Sequence, residues 1–174
     1  FNLVQSRGSS VTINGDMTAS AAVATNNEVN VANLVITGDA SSGPGFNPTQ
    51  AGGDIAINGT LHAQIDSASG KAEAISRVIA YSDGTAGNGG DIFLNSGALR
   101  TVINGSASTA SGRADAFAVA GDIIQAAGHV VESVVSGVNV YATGGLTTGV
   151  IGRASSSGRS FGTAIQRPGF GNIT

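Results

Sequence analysis

Residues 52–59 of the chain read Gly-Gly-Asp-Ile-Ala-Ile-Asn-Gly, and part of this pattern returns further along. The tripeptide Gly-Asp-Ile occurs at residues 53–55, 90–92 and 121–123, so successive copies begin 37 and 31 residues apart. In a chain of this composition chance would give about 0.1 copies, and the recurrence therefore indicates an internal repeat. The repeat unit is imperfect and about 31–44 residues long.

Two further matches indicate what the repeat unit contains. Ile-Asn-Gly occurs at residues 13–15, 57–59 and 103–105, and residues 68–75 match residues 110–117 at five of eight positions. The unit is predicted to run as a strand opened by Gly-Asp-Ile, a turn at Asn-Gly, a second strand, a small-residue corner and an alanine-alternating strand.

Alternation with a period of two predicts the secondary structure of the longest segments. Ala, Ser or Val fills every second position from residue 72 to residue 82, and Ala or Gly does so from residue 110 to residue 120. This period indicates strands. Alanine is also a strong helix former, so a helix is the competing prediction. We favour strands because at a period of 3.6 the alanines would spread around a helix.

These patterns predict an all-β fold in a single domain over residues 1–174. The favoured architecture is a repeat-built β-solenoid with a thin core rich in Ala and Gly, and a long-stranded β-sandwich is the alternative. The imperfect repeats occupy residues 10–152 and start near residues 10, 53, 90 and 121. Residues 1–9 are interpreted as an N-terminal arm and residues 153–174 as a C-terminal cap or arm, because terminal units of a stack are atypical.

Composition excludes several classes of protein. Gly, Ala, Ser and Thr make up half of the chain, there is no Cys, and the formal net charge is -3. Disulfide frameworks, cysteine zinc sites and thiol enzymes are therefore excluded. The 8 basic and 11 acidic residues argue against nucleic-acid binding, and no apolar run is long enough for a transmembrane helix. Because the chain begins at Phe1, we expect either a processed or excised segment or a sequence whose start is not shown.

The stretches at residues 52–59 and 89–95 resemble the repeats of filamentous-haemagglutinin-like bacterial surface proteins. The resemblance is one of repeat style and covers residues 10–152. It implies a right-handed β-helix and an extracellular, non-enzymatic, adhesive or fibre-forming role. Gly-Asp-Ile is also similar to the repeats of bactofilins, which are cytoplasmic β-helical polymers, but bactofilin repeats are shorter and more charged.

The aspartates of the three tripeptides, Asp54, Asp91 and Asp122, are candidates for a stacked row. A row of carboxylates could bind Ca²⁺ through its oxygen atoms. The favoured interpretation is instead that each is a turn aspartate that hydrogen-bonds its own backbone. Residues 87–92 loosely resemble a calcium-binding glycine-rich nonapeptide, but the stretch occurs once. No other metal or cofactor is expected.

The two histidines, His62 and His129, lie in different repeats and at positions that do not match. Neither a Gly-x-Ser-x-Gly nor a His-Glu-x-x-His motif accompanies them. We interpret both as surface or core-edge residues. The sequence therefore predicts no catalytic residues, and the chain is not expected to be an enzyme.

The densest group of charges consists of Lys71, Glu73, Arg77, Arg113 and Asp115. If the two matched segments stack, Lys71 lies over Arg113 and Glu73 over Asp115, and opposite charges pair on the diagonal. We interpret this pattern as a solvated one that sets the register. The alternative is an active site like that of polysaccharide-cleaving β-helix enzymes, which gather acidic and basic side chains on one face.

Two kinds of carbohydrate signal are weak. Asn58, Asn104 and Asn172 each begin an N-glycosylation pattern, although Asn-Gly turns explain the first two. Glycan binding would need an exposed aromatic cluster, for which the candidates are Tyr81, Tyr141, Phe93 and Phe117.

Together these patterns predict a structural subunit of a secreted, self-assembling filament or surface fibre that polymerises through strand edges and end faces. Its location would be extracellular, at a bacterial cell surface or in a biofilm matrix. Its expected partners are copies of itself and surface glycans, with no nucleic acid and no membrane span. A monomeric carbohydrate-binding adhesin module is the first alternative, and a β-helical polysaccharide-cleaving enzyme is the second.

Overall fold

A computed structural model describes residues 1–22, 28–38, 52–81, 89–118, 121–126, 129–148, 153–154, 158–161, 164–166 and 172–173. Gly87 and Asn88 of the glycine-rich stretch lie outside these ranges. Within them the chain is all-β, as predicted, and contains no helix.

The strands pair side by side in three columns, and the chain passes through the columns in the same order in each layer. The first column contains β1 (Asn2–Ser6), β4 (Val29–Thr37), β7 (Lys71–Ala80), residues 109–118 of β9 (Ala98–Ala118), residues 139–148 of β11 (Val130–Thr148) and β14 (Ala164–Gln166). The second contains β2 (Val11–Ile13), β5 (Ile55–Ile57), β8 (Ile92–Leu94), β10 (Ile123–Gln125), β12 (Arg153–Ala154) and β15 (Asn172–Ile173). The third contains β3 (Met17–Ala22), β6 (Leu61–Ala68), residues 98–105 of β9, residues 130–137 of β11 and β13 (Gly158–Phe161).

Every pairing among these described strands is parallel, and the result is a nearly closed, solenoid-like sheet. We call one passage through the three columns a layer, so that β1, β2 and β3 form layer 1 and β4, β5 and β6 form layer 2. β9 and β11 are long because each continues from the third column of one layer into the first column of the next.

The register places the Gly-Asp-Ile tripeptides on one another. Ile55 pairs with Val11 on one side and with Ile92 on the other, and Ile92 pairs in turn with Ile123. All three isoleucines are at most 1% exposed. Each tripeptide therefore opens a short strand of the second column and supplies its buried apolar residue, as the sequence predicts.

The small residues of the alternating segments face inward. On β7, Ala72, Ala74 and Val78 are buried, whereas Lys71 and Glu73 on the opposite face are exposed. The same alternation continues along residues 110–118 of β9, where alanine or glycine occupies each buried position. The strand prediction is confirmed for both segments, and the competing helix is not formed.

The interior contains two apolar clusters of different character. One is rich in Ile and Leu and lies against the second column, whereas the other is rich in Ala and lies between the third and first columns. The first contains Ile55, Ile57, Leu61, Ile92, Leu94, Leu99 and Ile123, among others. The second contains Ala19, Ala63, Ala68, Ala72, Ala74, Ala107, Ala110 and Ala142 with Val31, Ile65, Ile103 and Val135. The few large apolar residues are thus concentrated on one side of the core.

The predicted register of the charged segments is wrong by four residues. Lys71 pairs with Thr109, and Arg113 lies beside Ile75 rather than beside Lys71. Asp115 consequently pairs with Arg77 rather than with Glu73. A shift of four residues keeps every alanine on the buried face, because side chains alternate with a period of two.

The third Ile-Asn-Gly does not form the predicted turn. Asn104 and Gly105 lie inside β9, where the strand bends from the third column into the first and its pairing with β6 shifts register. Gly105 has a φ of 122°, which glycine adopts without strain. The equivalent of the Asn-Gly turn in this layer is Asn95, which directly follows β8.

Candidate functional site

Stacked glycines let successive layers approach closely at the start of the second column. A Cβ atom on Gly90 would lie 2.2 Å from the carbonyl oxygen of Gly53, and one on Gly121 would lie 2.1 Å from that of Gly90. No side chain fits at these distances. Glycine is therefore required at the first position of the tripeptide by the layer below it.

The three tripeptide aspartates form a row that links the layers. The Asp91 backbone N–H donates to Asp54 Oδ1 at 3.0 Å, and the Asp122 backbone N–H donates to Asp91 Oδ1 at 2.8 Å. For Asp54 and Asp91 the expectation that the side chain bonds its own backbone is wrong, because the donor belongs to the next layer. No group of three or more His, Asp or Glu residues within the described ranges could hold a metal ion, so the alternative interpretation of the row as a Ca²⁺ site gains no support.

A row of asparagine side chains runs parallel to the aspartates at the other end of the second-column strands. Asn58 Nδ2 donates to Asn14 Oδ1 at 2.8 Å, and Asn95 Nδ2 donates to Asn58 Oδ1 at 2.8 Å. Sequence reasoning missed this row. A usable signal was present, since Asn58 and Asn95 each follow a tripeptide aspartate by four residues.

A third row lies inside the molecule and joins the first column to the third. It consists of polar side chains on the inward face of β1, β4 and β7, each of which donates to a backbone carbonyl of the third column. The bonds run from Asn2 Nδ2 to Thr18 O at 2.8 Å, from Asn33 Nδ2 to His62 O at 2.8 Å and from Ser76 Oγ to Arg100 O at 2.9 Å. Asn33 and Ser76 are fully buried, so these bonds fix the separation of the two columns where no water reaches.

The two histidines lie in different environments and are not brought together. His62 is on β6 and His129 directly precedes β11, and these strands pair with opposite sides of β9. Burial and the nearby Arg100 lower the pKa of His62, with Asp66 acting in the opposite direction. Burial also lowers the pKa of His129, which is 1% exposed, against the effect of a 3.0 Å contact between its Nδ1 and Ser96 O.

The outward charges form ion pairs between neighbouring strands. Arg77 Nε lies 3.1 Å from Asp115 Oδ1, and Arg113 Nε donates to Asp115 Oδ2 at 2.7 Å. On the third column Arg100 Nε lies 3.0 Å from Glu132 Oε2. Each of these side chains is partly exposed, and the pairs hold neighbouring strands in register as a solvated pattern.

The four aromatic candidates for glycan binding do not form a cluster. Phe93 is on the second column, whereas Phe117 and Tyr141 are on the first. Tyr141 lies beside Ser111, six residues and therefore about 20 Å along the strand from Phe117. Tyr141 is 59% exposed and stands apart from the other three.

Layer 1 presents an unpaired edge in each column. Within the described ranges β1, β2 and β3 pair with β4, β5 and β6, respectively, on one side and with no strand on the other. The apolar side chains of this layer continue the core but remain partly exposed; they are Val4, Val11, Ile13 and Met17. Edges of this kind, with free N–H and C=O groups beside apolar side chains, are suited to pairing with another strand.

No helix in the described part of the chain is long and apolar enough to cross a membrane. No family model matches the chain, and comparison with curated proteins and with solved structures finds no similar protein. Its function must therefore be argued from the rows, the edges and the surface described above.

Proposed function

We propose that this chain is a β-solenoid with a thin core rich in Ala and Gly that serves as a structural subunit of a secreted, self-assembling filament or surface fibre. Its partners are copies of itself, which associate through strand edges and end faces. The single observation that supports this proposal most strongly is the layer-1 edge, where no described strand pairs with the outer side of β1, β2 or β3.

The apolar residues of layer 1 support association at this edge. Val4, Val11, Ile13 and Met17 pack on the core cluster on one side and are only half-buried. A further layer would bury them at roughly 25 cal/mol per Å² of apolar surface and would pair the free backbone groups of three strands at once. Apolar burial and backbone hydrogen bonding also hold together the layers within the chain.

The hydrogen-bonded rows support a directional assembly. Within the asparagine row the side-chain amide of each later layer donates to the earlier one, so Asn14 offers its Nδ2 group at the layer-1 edge. A copy stacked in the parallel sense extends the row, whereas a copy stacked in the opposite sense sets donor against donor. We therefore expect a polar filament with one kind of repeating interface.

The extracellular, bacterial-surface location is proposed together with this function because the repeat style resembles that of surface fibre proteins. Within the described ranges the two histidines lie on either side of β9, Asp54 and Asp91 accept from backbone N–H groups, and Asp115 pairs with an arginine. This distribution suits a role as a material rather than as a catalyst.

Electron microscopy and fibre diffraction of the purified protein test the proposal. We expect long unbranched filaments with a reflection at ~4.8 Å along the filament axis, which is the spacing of stacked strands. Monodisperse particles over the full range of protein concentration would contradict it.

Thr12 allows the edge to be tested directly. Val11 N donates to Asp54 O and Asn58 N donates to Ile13 O, both at 2.8 Å, so the N–H of the intervening Thr12 points away from β5. Thr12→Pro removes an edge donor without removing an internal bond, and we expect it to abolish filaments. Thr12→Ala keeps the donor and should assemble normally. Thr12→Lys, which places a charge at the edge, provides a second variant should the proline disturb folding.

A further inference from the structure

An open groove of about 470 Å³ lies at the corner between the third and first columns. It is lined by Glu28, Ser69, Gly70, Lys71 and Ser108. Glu28 directly precedes β4 and Lys71 begins β7, and because Val29 pairs with Ala72 these two residues are neighbours across the strands. The volume falls within the range of small-ligand sites.

The groove carries one charge of each sign, and the two charges do not neutralise each other by contact. The ion pairs among the described residues are Arg77–Asp115, Arg113–Asp115 and Arg100–Glu132, and none joins Glu28 to Lys71. A carboxylate can only accept hydrogen bonds and an ammonium group can only donate them. The pair leaves the groove with no net charge and offers both kinds of bond to a ligand.

Ser69, which lines the same groove, carries a buried hydroxyl. Ser69 Oγ is shielded from solvent and has no hydrogen-bond partner within the described part of the chain. A polar atom in this condition costs free energy unless a partner is supplied. Once rotation about χ1 turns Ser69 Oγ into the groove, a ligand hydroxyl, which donates and accepts at once, satisfies this group as well as either charged neighbour.

The walls of the groove are held in place without the ligand. The Ser108 backbone N–H donates to Gly70 O at 2.9 Å, and Asn139 Nδ2 donates to Ser108 O at 3.0 Å. Gly70 O and both backbone groups of Ser108 are therefore engaged within the protein. The side chains of Glu28, Ser69 and Lys71 are left to make the contacts to a ligand.

An exposed aromatic ring lies within reach of the groove. Lys71 pairs with Thr109, Thr109 pairs with Asn139, and Tyr141 follows Asn139 by two residues on the same strand face. This register puts the Cα atoms of Lys71 and Tyr141 about 12 Å apart. That distance spans two or three sugar rings, and an exposed tyrosine offers an apolar face with a polar tip.

We propose that this corner groove binds an uncharged oligosaccharide, with Glu28, Ser69 and Lys71 bonded to the hydroxyls of one ring and Tyr141 packed on a ring two or three units away. The absence of net charge argues for a neutral ligand, and the unpartnered hydroxyl with the aromatic ring argues for a sugar. The inference goes beyond the proposed assembly and adds glycan binding along the side of the stack.

Titration with four neutral trisaccharides, cellotriose, maltotriose, laminaritriose and chitotriose, tests the proposal by calorimetry and by NMR shifts of the groove amides. We expect at least one to bind and to shift the signals of residues 69–71 and 108. Glu28→Gln, Lys71→Gln, Ser69→Ala and Tyr141→Ala should each weaken that binding roughly tenfold, as the loss of one polar or stacking contact implies.

Matched controls separate binding from folding and from assembly. Arg7→Gln removes an exposed basic residue far from the groove, and Ile124→Ala removes an apolar side chain 46% exposed on the second column. Both should bind normally, and the groove variants should still form filaments. If none of the four trisaccharides binds at millimolar concentration, or if oligomers of a uronic acid or of glucosamine bind better than neutral ones, the proposal is overturned.

Discussion

Arg77 on β7 and Asp115 on the next strand of the first column form an ion pair, with Nε and Oδ1 3.1 Å apart. Their side chains are 29% and 16% exposed, and Asp115 also accepts from Arg113 at 2.7 Å. One carboxylate thus joins a residue of its own strand to a residue of the neighbouring layer. This arrangement helps to select the observed register among others that would bury the same alanines.

A double-mutant cycle measures this pair. Arg77→Met and Asp115→Asn should each destabilise the protein, and their coupling free energy should be about 1 kcal/mol or less because the pair is partly exposed. Asp115→Asn is expected to cost more than Arg77→Met, since it leaves two arginines side by side without a counter-charge. Urea denaturation at low and high salt checks both statements. A coupling that does not fall as salt rises would contradict the electrostatic explanation.

The glycine row predicts a sharp contrast between two Gly→Ala substitutions. Gly90→Ala puts a methyl group 2.2 Å from the Gly53 carbonyl oxygen, and separating the layers to make room should cost about 2–4 kcal/mol. In the unassembled protein Gly15→Ala is the matched control, because a Cβ there meets nothing within 4 Å and should change stability by roughly 0.5 kcal/mol or less. Thermal and urea unfolding of both variants give the comparison. Equal effects would mean that close stacking is not what requires glycine.

The sequence was sufficient to predict the strands of the alternating segments and the stacking of the tripeptides. Both depend on signals carried within a few residues: a period of two, and a recurring trio of a small, an acidic and a large apolar residue. Ile55, Ile92 and Ile123 stack as a recurring apolar position implies. Local patterns of this kind need no knowledge of what packs against them.

The register of β7 on β9 could not be obtained in the same way. Residues 68–75 and 110–117 match best at an offset of 42, but the strands pair at an offset of 38. Side chains alternate with a period of two, so a slip of four residues leaves the alanines of both strands on the buried face. Two contacts favour the offset of 38 over the offset of 42: the bond from Ser108 N to Gly70 O at the corner and the ion pair of Arg77. A sequence match shows neither of them.

The corner groove could not be predicted from the sequence either. Glu28, Lys71 and Ser108 come from three separate layers. Tyr141, on β11, comes from a fourth layer. No motif relates them, because the variable corner lengths hide the equivalence of their positions. The aspartate and asparagine rows, in contrast, keep a fixed offset of four residues within two of the layers and could have been found by counting.

The asparagine row predicts an unusual pH response for one variant. Asn58 donates to Asn14 and accepts from Asn95, both at 2.8 Å. Asn58→Asp should destabilise the protein by about 1–2 kcal/mol at neutral pH, because the ionised carboxylate cannot donate to Asn14 Oδ1. Below a pH of about 4 the protonated acid regains a donor, and the deficit relative to the natural chain should shrink. Urea midpoints of both proteins across this range check the prediction, and a deficit independent of pH would contradict it. Asn58→Ala, which cannot titrate, is the control.

His129 predicts a loss of stability in mild acid. Burial lowers its pKa in the folded state below the value of about 6.5 expected in the unfolded chain. Between these two values the unfolded state binds more protons, so the free energy of unfolding is highest above a pH of about 6.5 and falls as the pH drops through that window. His129→Gln should remove part of this slope. His62→Gln is the comparison, because the pKa of His62 is lowered as well but its side chain is only half-buried. This substitution should remove a smaller part of the slope. Free energies of unfolding measured by urea at several pH values between 5 and 8 would show a flat profile if burial of His129 does not control its protonation.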